Sequence, residues 1–209
     1  MSIPASLLTR RPLRQGPGLS LIPGDADLHL ALSRVHEACG PARRTLALWL
    51  AARTSGPVIW IAPGWAQDRL HADGVVDLID PSRLIFIHPN RPEDVLWTME
   101  EVLRAGAVAL AVADLPGLPG LTQVRRMHLA AETGTQEGQH APLGLLLTPG
   151  IGGAQGVETR WHLAPDHTQD TPRWRVERLR ARTAPRKAWS LERIGPQAAL
   201  RIRDTQVTA

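Results

Sequence analysis

Four residue types are scarce in this chain of 209 residues. It contains one Cys, one Phe and no Tyr, and Lys187 is its single lysine. One thiol cannot close an internal disulfide, which excludes the disulfide-stabilised scaffolds of small secreted proteins and fits a reducing compartment. The remaining seven of the eight aromatic side chains are Trp.

Long apolar segments are also missing. No apolar run approaches the roughly 18 residues that a membrane span needs. The first residues, MSIPASLLTRRPLRQGPG, lack the apolar core of about 7–15 residues found in a secretory signal. We therefore expect a cytoplasmic protein that makes no contact with a membrane.

The net charge of +4 is distributed unevenly. Residues 1–16 carry three Arg and no acid, residues 17–159 carry a net −5, and residues 160–209 carry a net +6. Nearly all of the basic side chains are Arg, which suits phosphate contacts. A coding bias toward Arg explains the same composition, so both interpretations stay open.

Short apolar runs alternate with helical patterns from residue 17 to about residue 150. The runs PVIWIA, RLIFIH, AVALAVA and PLGLLLT are typical of strands buried on both faces of a parallel sheet. Pro92 opens a helix with two acids in its first turn, and Gly106 ends it. The segment DADLHLAL, residues 25–32, predicts a further helix. This alternation predicts an α/β fold, a doubly wound, mostly parallel sheet flanked by helices.

The pattern changes after residue 150. A Gly-rich turn is followed by three candidate strands, residues 159–164, 174–182 and 188–194, with no helix between them. We predict an antiparallel β extension over about residues 157–195. The domain organisation is then a flexible basic segment (1–16), one domain (17–195) and a polar C-terminal tail (196–209).

The loop after the first predicted central strand has the position of a phosphate-binding loop. Its residues are Gly40, Pro41, Arg43, Arg44 and Thr45, and a helix follows. In G-x-x-x-x-G-K-[ST] the Lys stands six positions after the first Gly. Arg44 stands four positions after Gly40, and the second Gly and the Lys are missing. We expect this loop to be a structural remnant that binds no cofactor. Two alternatives stay open: weak binding of ATP, with Mg²⁺ at Thr45, and conventional ATP hydrolysis.

These residues resemble the RecA family. Val35–Leu48, VHEACGPARRTLAL, resembles the strand and loop of a recombinase with three residues deleted. The run PVIWIAPGW resembles the segment that ends at the catalytic glutamate, and Gly64 stands there. Ala107–Asp114 resembles the Walker B strand, and Asp114 keeps the carboxylate. The resemblance implies a RecA-like fold with one of three hydrolytic elements, so we expect no enzyme activity. Asp114 alone also fits a residue that caps the next loop.

The resemblance narrows to one family. The segments HEACG, RPEDVLWTMEEVLRAGAVALAVADL, RRMHLAAE, TRWHLAP, RWRVERLRAR and AWSLE, in this order over roughly residues 19–193, are similar to the ImuA family. This implies a RecA-like accessory protein of damage-induced (SOS) mutagenic translesion DNA synthesis. The implied partners are an inactive Y-family polymerase homologue and an error-prone replicative-type polymerase subunit. The alternatives are a divergent DNA-dependent ATPase and a cell-division inhibitor of the SulA type.

A basic run near the C-terminus is a second candidate site. Its members are Arg173, Arg175, Arg178, Arg180, Arg182, Arg186 and Lys187. They surround Trp174 and Trp189, and basic side chains with aromatics suit single-stranded DNA. An acidic protein partner and a merely solvated strand face are the other interpretations.

No other residue set points to catalysis or a metal. The eight His residues are scattered, and none has a zinc-ligand spacing with Cys39 or nearby acids. Cys39 ends a predicted strand without an evident base, so we expect a buried thiol rather than a nucleophile.

Overall fold

A computed structural model describes residues 16–195 and 199–206 of the chain. The predicted flexible segment therefore lies outside the described residues, except for Gly16. The strands are β1 (Gly18–Ser20), β2 (His29–Ala31), β3 (Val35–Cys39), β4 (Val58–Ile61), β5 (Leu84–Ile87), β6 (Leu110–Asp114), β7 (Leu143–Leu147), β8 (Thr159–Pro165), β9 (Arg173–Ala181), β10 (Lys187–Arg193) and β11 (Leu200–Gln206). The helices of the described residues are α1 (Arg43–Ala51), α2 (Ala72–Val75), α3 (Pro92–Ala105) and α4 (Leu121–Glu137), and a 3₁₀ turn lies at Pro81–Arg83.

One sheet of nine strands organises the fold. Its order is β11-β10-β9-β8-β3-β7-β6-β4-β5. The strands from β8 to β5 are parallel to their neighbours, whereas β8 to β11 run antiparallel. The interior strands β3, β6 and β7 are buried along their whole length, as their apolar sequences require of a parallel sheet. The predicted α/β class, mostly parallel sheet and antiparallel C-terminal extension are confirmed.

Helices cover the two faces of the sheet. On the first face, α1 and the hairpin β1–β2 bury Leu28, Leu30 and Trp49 against the strands. On the second face, α3 and α4 bury Met99 and Met127.

The amphipathic pattern of α3 explains why it forms and which side it buries. Pro92 stands in its first turn, and Gly106 ends it in the left-handed region with φ +55°. Val95, Met99 and Leu103, four residues apart, face the sheet. Within the described ranges, no helix combines the length and the apolar composition needed to cross a membrane.

Tryptophans fill the core beneath the antiparallel extension. Trp161 and Trp189 lie on neighbouring positions of the first face, with ring centres 5.8 Å apart. Trp174 meets Trp49 of α1 edge to face at 5.0 Å. The apolar side chains on the first face of the extension pack against those of the parallel half, so the two parts of the sheet share one core.

Two sequence-based assignments were wrong. Residues 25–32, predicted as a helix, form a turn and strand β2, because the Asp25 carboxylate accepts the N–H groups of Asp27 and Leu28 and bends the chain. Residues 200–206, assigned to a polar tail, form β11, whose Leu200 packs into the core. Strand β2 has only three residues and β11 is partly polar, so pairing with a neighbour rather than local pattern defines them.

Candidate functional site

The candidate nucleotide loop lies at the carboxyl edge of the parallel strands. Residues 40–42 connect β3 to α1, and Asp114 ends β6, which is two strands away with β7 between them. Ligands of open α/β sheets bind at this edge, beyond the strand ends. The structure therefore brings the predicted loop and the predicted carboxylate to one place.

The backbone N–H groups of the loop donate hydrogen bonds to carbonyl groups of the same chain. Gly40 donates its N–H to the Gly150 carbonyl at 2.9 Å, and Ala42 donates to the Leu163 carbonyl at 3.0 Å. Pro41, which is exposed, has no N–H to donate. Gly40 has φ +90°, and a Cβ there would lie 2.6 Å from the Leu163 oxygen, so glycine is required. Three consecutive positions thus offer no N–H to a phosphate.

Arginine side chains occupy the space between the loop and the strand end. Arg44 Nε donates to Asp114 Oδ2 at 2.6 Å, and Arg43 Nη2 lies 3.6 Å from Oδ1. Arg44 also donates to the Asp68 carbonyl at 3.1 Å. Two cations in the first turn of α1 oppose the positive end of its dipole, and the first turn holds no acid of its own. Asp114 supplies the missing negative charge. Thr45, which follows Arg44 in the sequence, is half-buried.

The third hydrolytic position has no carboxylate and little room. Gly64 donates its N–H to the Pro89 carbonyl, and a Cβ on it would lie 2.9 Å from Asn90 Oδ1. The nearby cavity, which Arg44, Asp114 and His88 help to line, has a volume of about 80 Å³. Ligand pockets for molecules of nucleotide size measure roughly 300–1,000 Å³.

Sequence reasoning missed a buried carboxylate behind this loop. Glu37, in the middle of β3, is completely buried. It accepts hydrogen bonds from Thr148, from the N–H groups of Gly153 and Ala154, and from Arg160. The network joins β3, β8 and the Gly-rich turn. The sequence did carry a signal for this buried carboxylate, because a charged residue stands inside the apolar strand VHEAC and a Gly-rich turn lies downstream.

Two other titratable side chains of β3 serve the fold. Cys39 is buried, as predicted, and burial raises the pKa of its thiol to about 12, so it is not a thiolate at neutral pH. His36 bonds to Thr159 Oγ1 at 2.6 Å and to the Ala31 carbonyl at 2.9 Å. Burial lowers the pKa of His36 to about 4, which keeps the ring neutral. Trp161 Nε1 donates to the same Thr159 hydroxyl.

Part of the basic run faces inward. Arg178 is only 4% exposed and lies between Trp161 and Trp189, with its guanidinium carbon 5.7 and 5.4 Å from their rings. It donates to the Asp27 carbonyl at 2.7 Å, and Lys187 binds the Asp27 carboxylate. These two cations attach the hairpin turn to the extension.

The remaining members of the run lie on separate surfaces. Arg173 and Arg175 project from the face of β9 opposite to the tryptophans, and Arg175 pairs with Glu177. Arg180 and Arg182 face α4 across a groove, and Arg186 is exposed between β9 and β10. The seven basic residues therefore do not form one continuous surface.

Comparisons with known proteins do not identify a family for this chain. No protein-family model matches the chain, and no curated protein matches it at a significant level. In the part of the chain that the structure describes, no three His, Cys, Asp or Glu side chains come together as a candidate metal site.

Proposed function

We propose that this protein is a non-catalytic, RecA-like accessory protein of damage-induced mutagenic translesion synthesis. It acts as an adaptor for an error-prone polymerase complex in the cytoplasm. Its proposed partners are an inactive Y-family polymerase homologue and an error-prone replicative-type polymerase subunit. The family and the partners rest on the sequence resemblance to ImuA proteins.

The order of elements supports a RecA-type core. A buried strand, β3, leads through a tight glycine loop into α1, and β4 follows toward Gly64. Asp114 then ends β6 at the same edge of the sheet. These are the positions at which the resemblance places the phosphate loop, the catalytic glutamate and the Walker B carboxylate.

The ion pair between Arg44 and Asp114 is the observation on which the non-catalytic role rests. A hydrolytic site needs cations and N–H groups that are free to hold phosphates. It also needs a carboxylate that is free to hold Mg²⁺, directly or through water molecules bound to the ion. Here Asp114 binds Arg44 and Arg43, and the N–H groups of Gly40 and Ala42 bind carbonyls. The groups of this site therefore neutralise one another, and binding of protein partners is the role left to the domain.

Reconstitution with the two polymerase proteins tests the proposal. Purified chain should form a complex with one or both of them, measured by size-exclusion chromatography with light scattering. The complex should be equally stable with ATP and Mg²⁺ or without nucleotide. Thr45→Ala, which alters the position that would meet Mg²⁺, should leave the complex unchanged.

Two outcomes would contradict the adaptor role. One is the absence of any complex with either polymerase protein at micromolar concentrations. The other is a complex that needs ATP and is lost in Thr45→Ala, since that pattern belongs to a working ATPase. Single-stranded DNA added to each mixture reveals whether it joins the complex.

A further inference from the structure

A groove along α4 carries positive charge that the fold leaves unmatched. It has a volume of about 680 Å³ and lies between α4 and the edge formed by residues 155–158, 180 and 182. Four arginines and two glutamates line it, a net charge of +2. The distance from Leu121 to Glu132 along α4 is about 16 Å, enough for about five residues of an extended chain.

The two acids of the groove are already paired. Glu132 binds Arg34 at 2.5 Å, and Glu158 lies 3.9 Å from both Arg34 and Arg182. His128 closes the floor, where it bonds to the Gly156 carbonyl and accepts the N–H of Val35. The two acids are therefore engaged by Arg34 and Arg182, and Arg125 and Arg180 are the remaining cations of the groove.

Arg125 and Arg180 have no partner among the described residues, either as ion pairs or as side-chain hydrogen bonds. Both are exposed to the groove. Arg180 lies directly across the strand pair from Arg160, whose own charge is matched by Glu37. The neighbouring strand therefore gives Arg180 no acidic partner, and its charge is available to an anionic group from outside the chain.

An apolar side chain stands among these cations. Leu129 is 63% exposed and lies one helical turn after Arg125, so the two side chains are neighbours on α4. No Trp, Tyr or Phe ring lines the groove, and both ring nitrogens of His128 are engaged within the protein, so the groove offers little surface on which bases could stack. A strand of nucleic acid would find cations here, but an acidic peptide would find cations and an apolar contact.

We propose that this groove binds an extended acidic segment of a partner protein, in which an apolar side chain beside the carboxylates contacts Leu129. The carboxylates pair with Arg125 and Arg180. The inference deepens the proposed function and rests on it, because the groove becomes one contact surface of the adaptor. It uses neither the loop at Gly40 nor the inward-facing cations of the extension.

Fluorescence anisotropy with a synthetic peptide tests the groove without either polymerase. The probe is fluorescein-labelled Asp-Leu-Asp-Asp-Leu-Asp, and its neutral counterpart replaces each Asp with Asn. We expect the wild-type protein to bind the acidic probe at least about tenfold more tightly than the neutral one. Arg125→Glu with Arg180→Glu should raise the Kd for the acidic probe about tenfold or more.

A matched control separates the groove from general charge. Arg91→Glu with Arg186→Glu makes the same change of charge at two exposed arginines outside the groove, and its Kd should stay within about twofold of wild type. Leu129→Asp should also weaken binding. Circular dichroism and melting temperature establish that each variant is folded. Hydrogen exchange should locate protection by the probe in residues 121–132.

Three results would overturn the inference. The first is equal affinity of the wild-type protein for the acidic and neutral probes. The second is an equal loss of affinity for the acidic probe in the groove and control variants. The third is a groove variant that loses binding of oligothymidylate but keeps binding of the peptide. The last result would assign the groove to nucleic acid. Co-purification of the polymerases with the Arg125→Glu, Arg180→Glu variant tests the adaptor role separately.

Discussion

Two pairs of arginines in this protein have opposite surroundings. Arg43 and Arg44 stand at the start of α1 and bind a buried carboxylate of the same chain. Arg125 and Arg180 line a groove and have no acidic partner among the described residues. Arg43 and Arg44 belong to the candidate phosphate loop, and Arg180 belongs to the basic run that the sequence marks as a candidate DNA site. Internal pairing, rather than the presence of Arg, decides which of them is available to a ligand.

The same contrast divides the basic run of the extension. Arg178 is a core residue between two tryptophans, whereas Arg186 is exposed in a turn a few residues later. A charge that is satisfied inside the fold contributes to stability, whereas an exposed charge such as that of Arg186 contributes little to it. The following variants test how far burial and pairing separate these two kinds of charge.

The largest effect is expected at Glu37. Glu37→Ala removes a completely buried carboxylate and leaves Arg160 without its ion-pair partner, so the free energy of unfolding should fall by about 3–5 kcal/mol. Urea denaturation followed by tryptophan fluorescence measures it. The half-exposed Glu132→Ala should cost less than about 1 kcal/mol. Equal losses in the two variants would mean that burial does not distinguish these acids.

Arg178 should come next. Arg178→Ala removes stacking on two rings and the hydrogen bonds to Asp27 and Pro185, and we expect a loss of about 2–3 kcal/mol. The matched variant Arg186→Ala should stay within about 0.5 kcal/mol of wild type. If the Arg178→Ala protein keeps wild-type stability but loses a ligand, Arg178 belongs to a binding surface after all.

The buried ring of His36 makes stability depend on pH. Its pKa is about 4 in the folded protein and 6.5 in an unfolded chain, so below pH 6.5 the unfolded chain takes up the proton first. The contribution is complete above pH 6.5 and is lost as the pH falls toward 4. Between pH 7 and 5 it should remove about 2 kcal/mol of stability.

Denaturation midpoints across this pH range measure the effect. His36→Gln should have a flatter dependence than wild type, whereas a change of the exposed His71 to Gln should leave the slope unaltered. Identical slopes in wild type and His36→Gln would remove His36 as the cause.

The smallest stability effect is expected at Asp114. Asp114→Asn leaves Arg43 and Arg44 unpaired at the start of α1, and the expected loss is about 1–2 kcal/mol because both guanidinium groups keep access to water. Thermal unfolding compares it with Asp73→Asn, an exposed acid in the first turn of α2. A larger loss in the control than in Asp114→Asn would contradict the compensation of charge at α1.

Local pattern was sufficient to predict the strands of the parallel half of the fold, but β5, expected to be buried on both faces, is an edge strand with Ile85 and Phe86 exposed. The strands β4 to β7 are apolar runs, and α3 has both end signals, so each is defined by its own residues. The hairpin β1–β2 and β11 were missed because their own residue patterns are weak, although each pairs with a strand nearby in sequence. Leu30 and Leu200, for example, are buried in a core whose other residues come from distant parts of the chain.

The position of the candidate site was predictable from the sequence, but the pairing of its charged groups was not. Strand ends placed the loop at Gly40 and the carboxylate of Asp114 at one edge of the sheet. The bond between Arg44 and Asp114 joins residues 70 positions apart and depends on which strands are neighbours. The groove likewise requires α4 to lie beside residues 155–158, which no local pattern specifies.

Titration calorimetry with ATP and Mg²⁺ tests the central claim most directly, because the two interpretations of Asp114 predict opposite changes. If the carboxylate neutralises Arg43 and Arg44, the wild-type protein should not bind nucleotide at concentrations up to about 1 mM, where binding would be worth only about 4 kcal/mol. Asp114→Asn should then gain weak affinity for ATP, without need of Mg²⁺, because it frees two cations at a helix start. Tight Mg²⁺-dependent binding by the wild-type protein that Asp114→Asn abolishes would contradict the account.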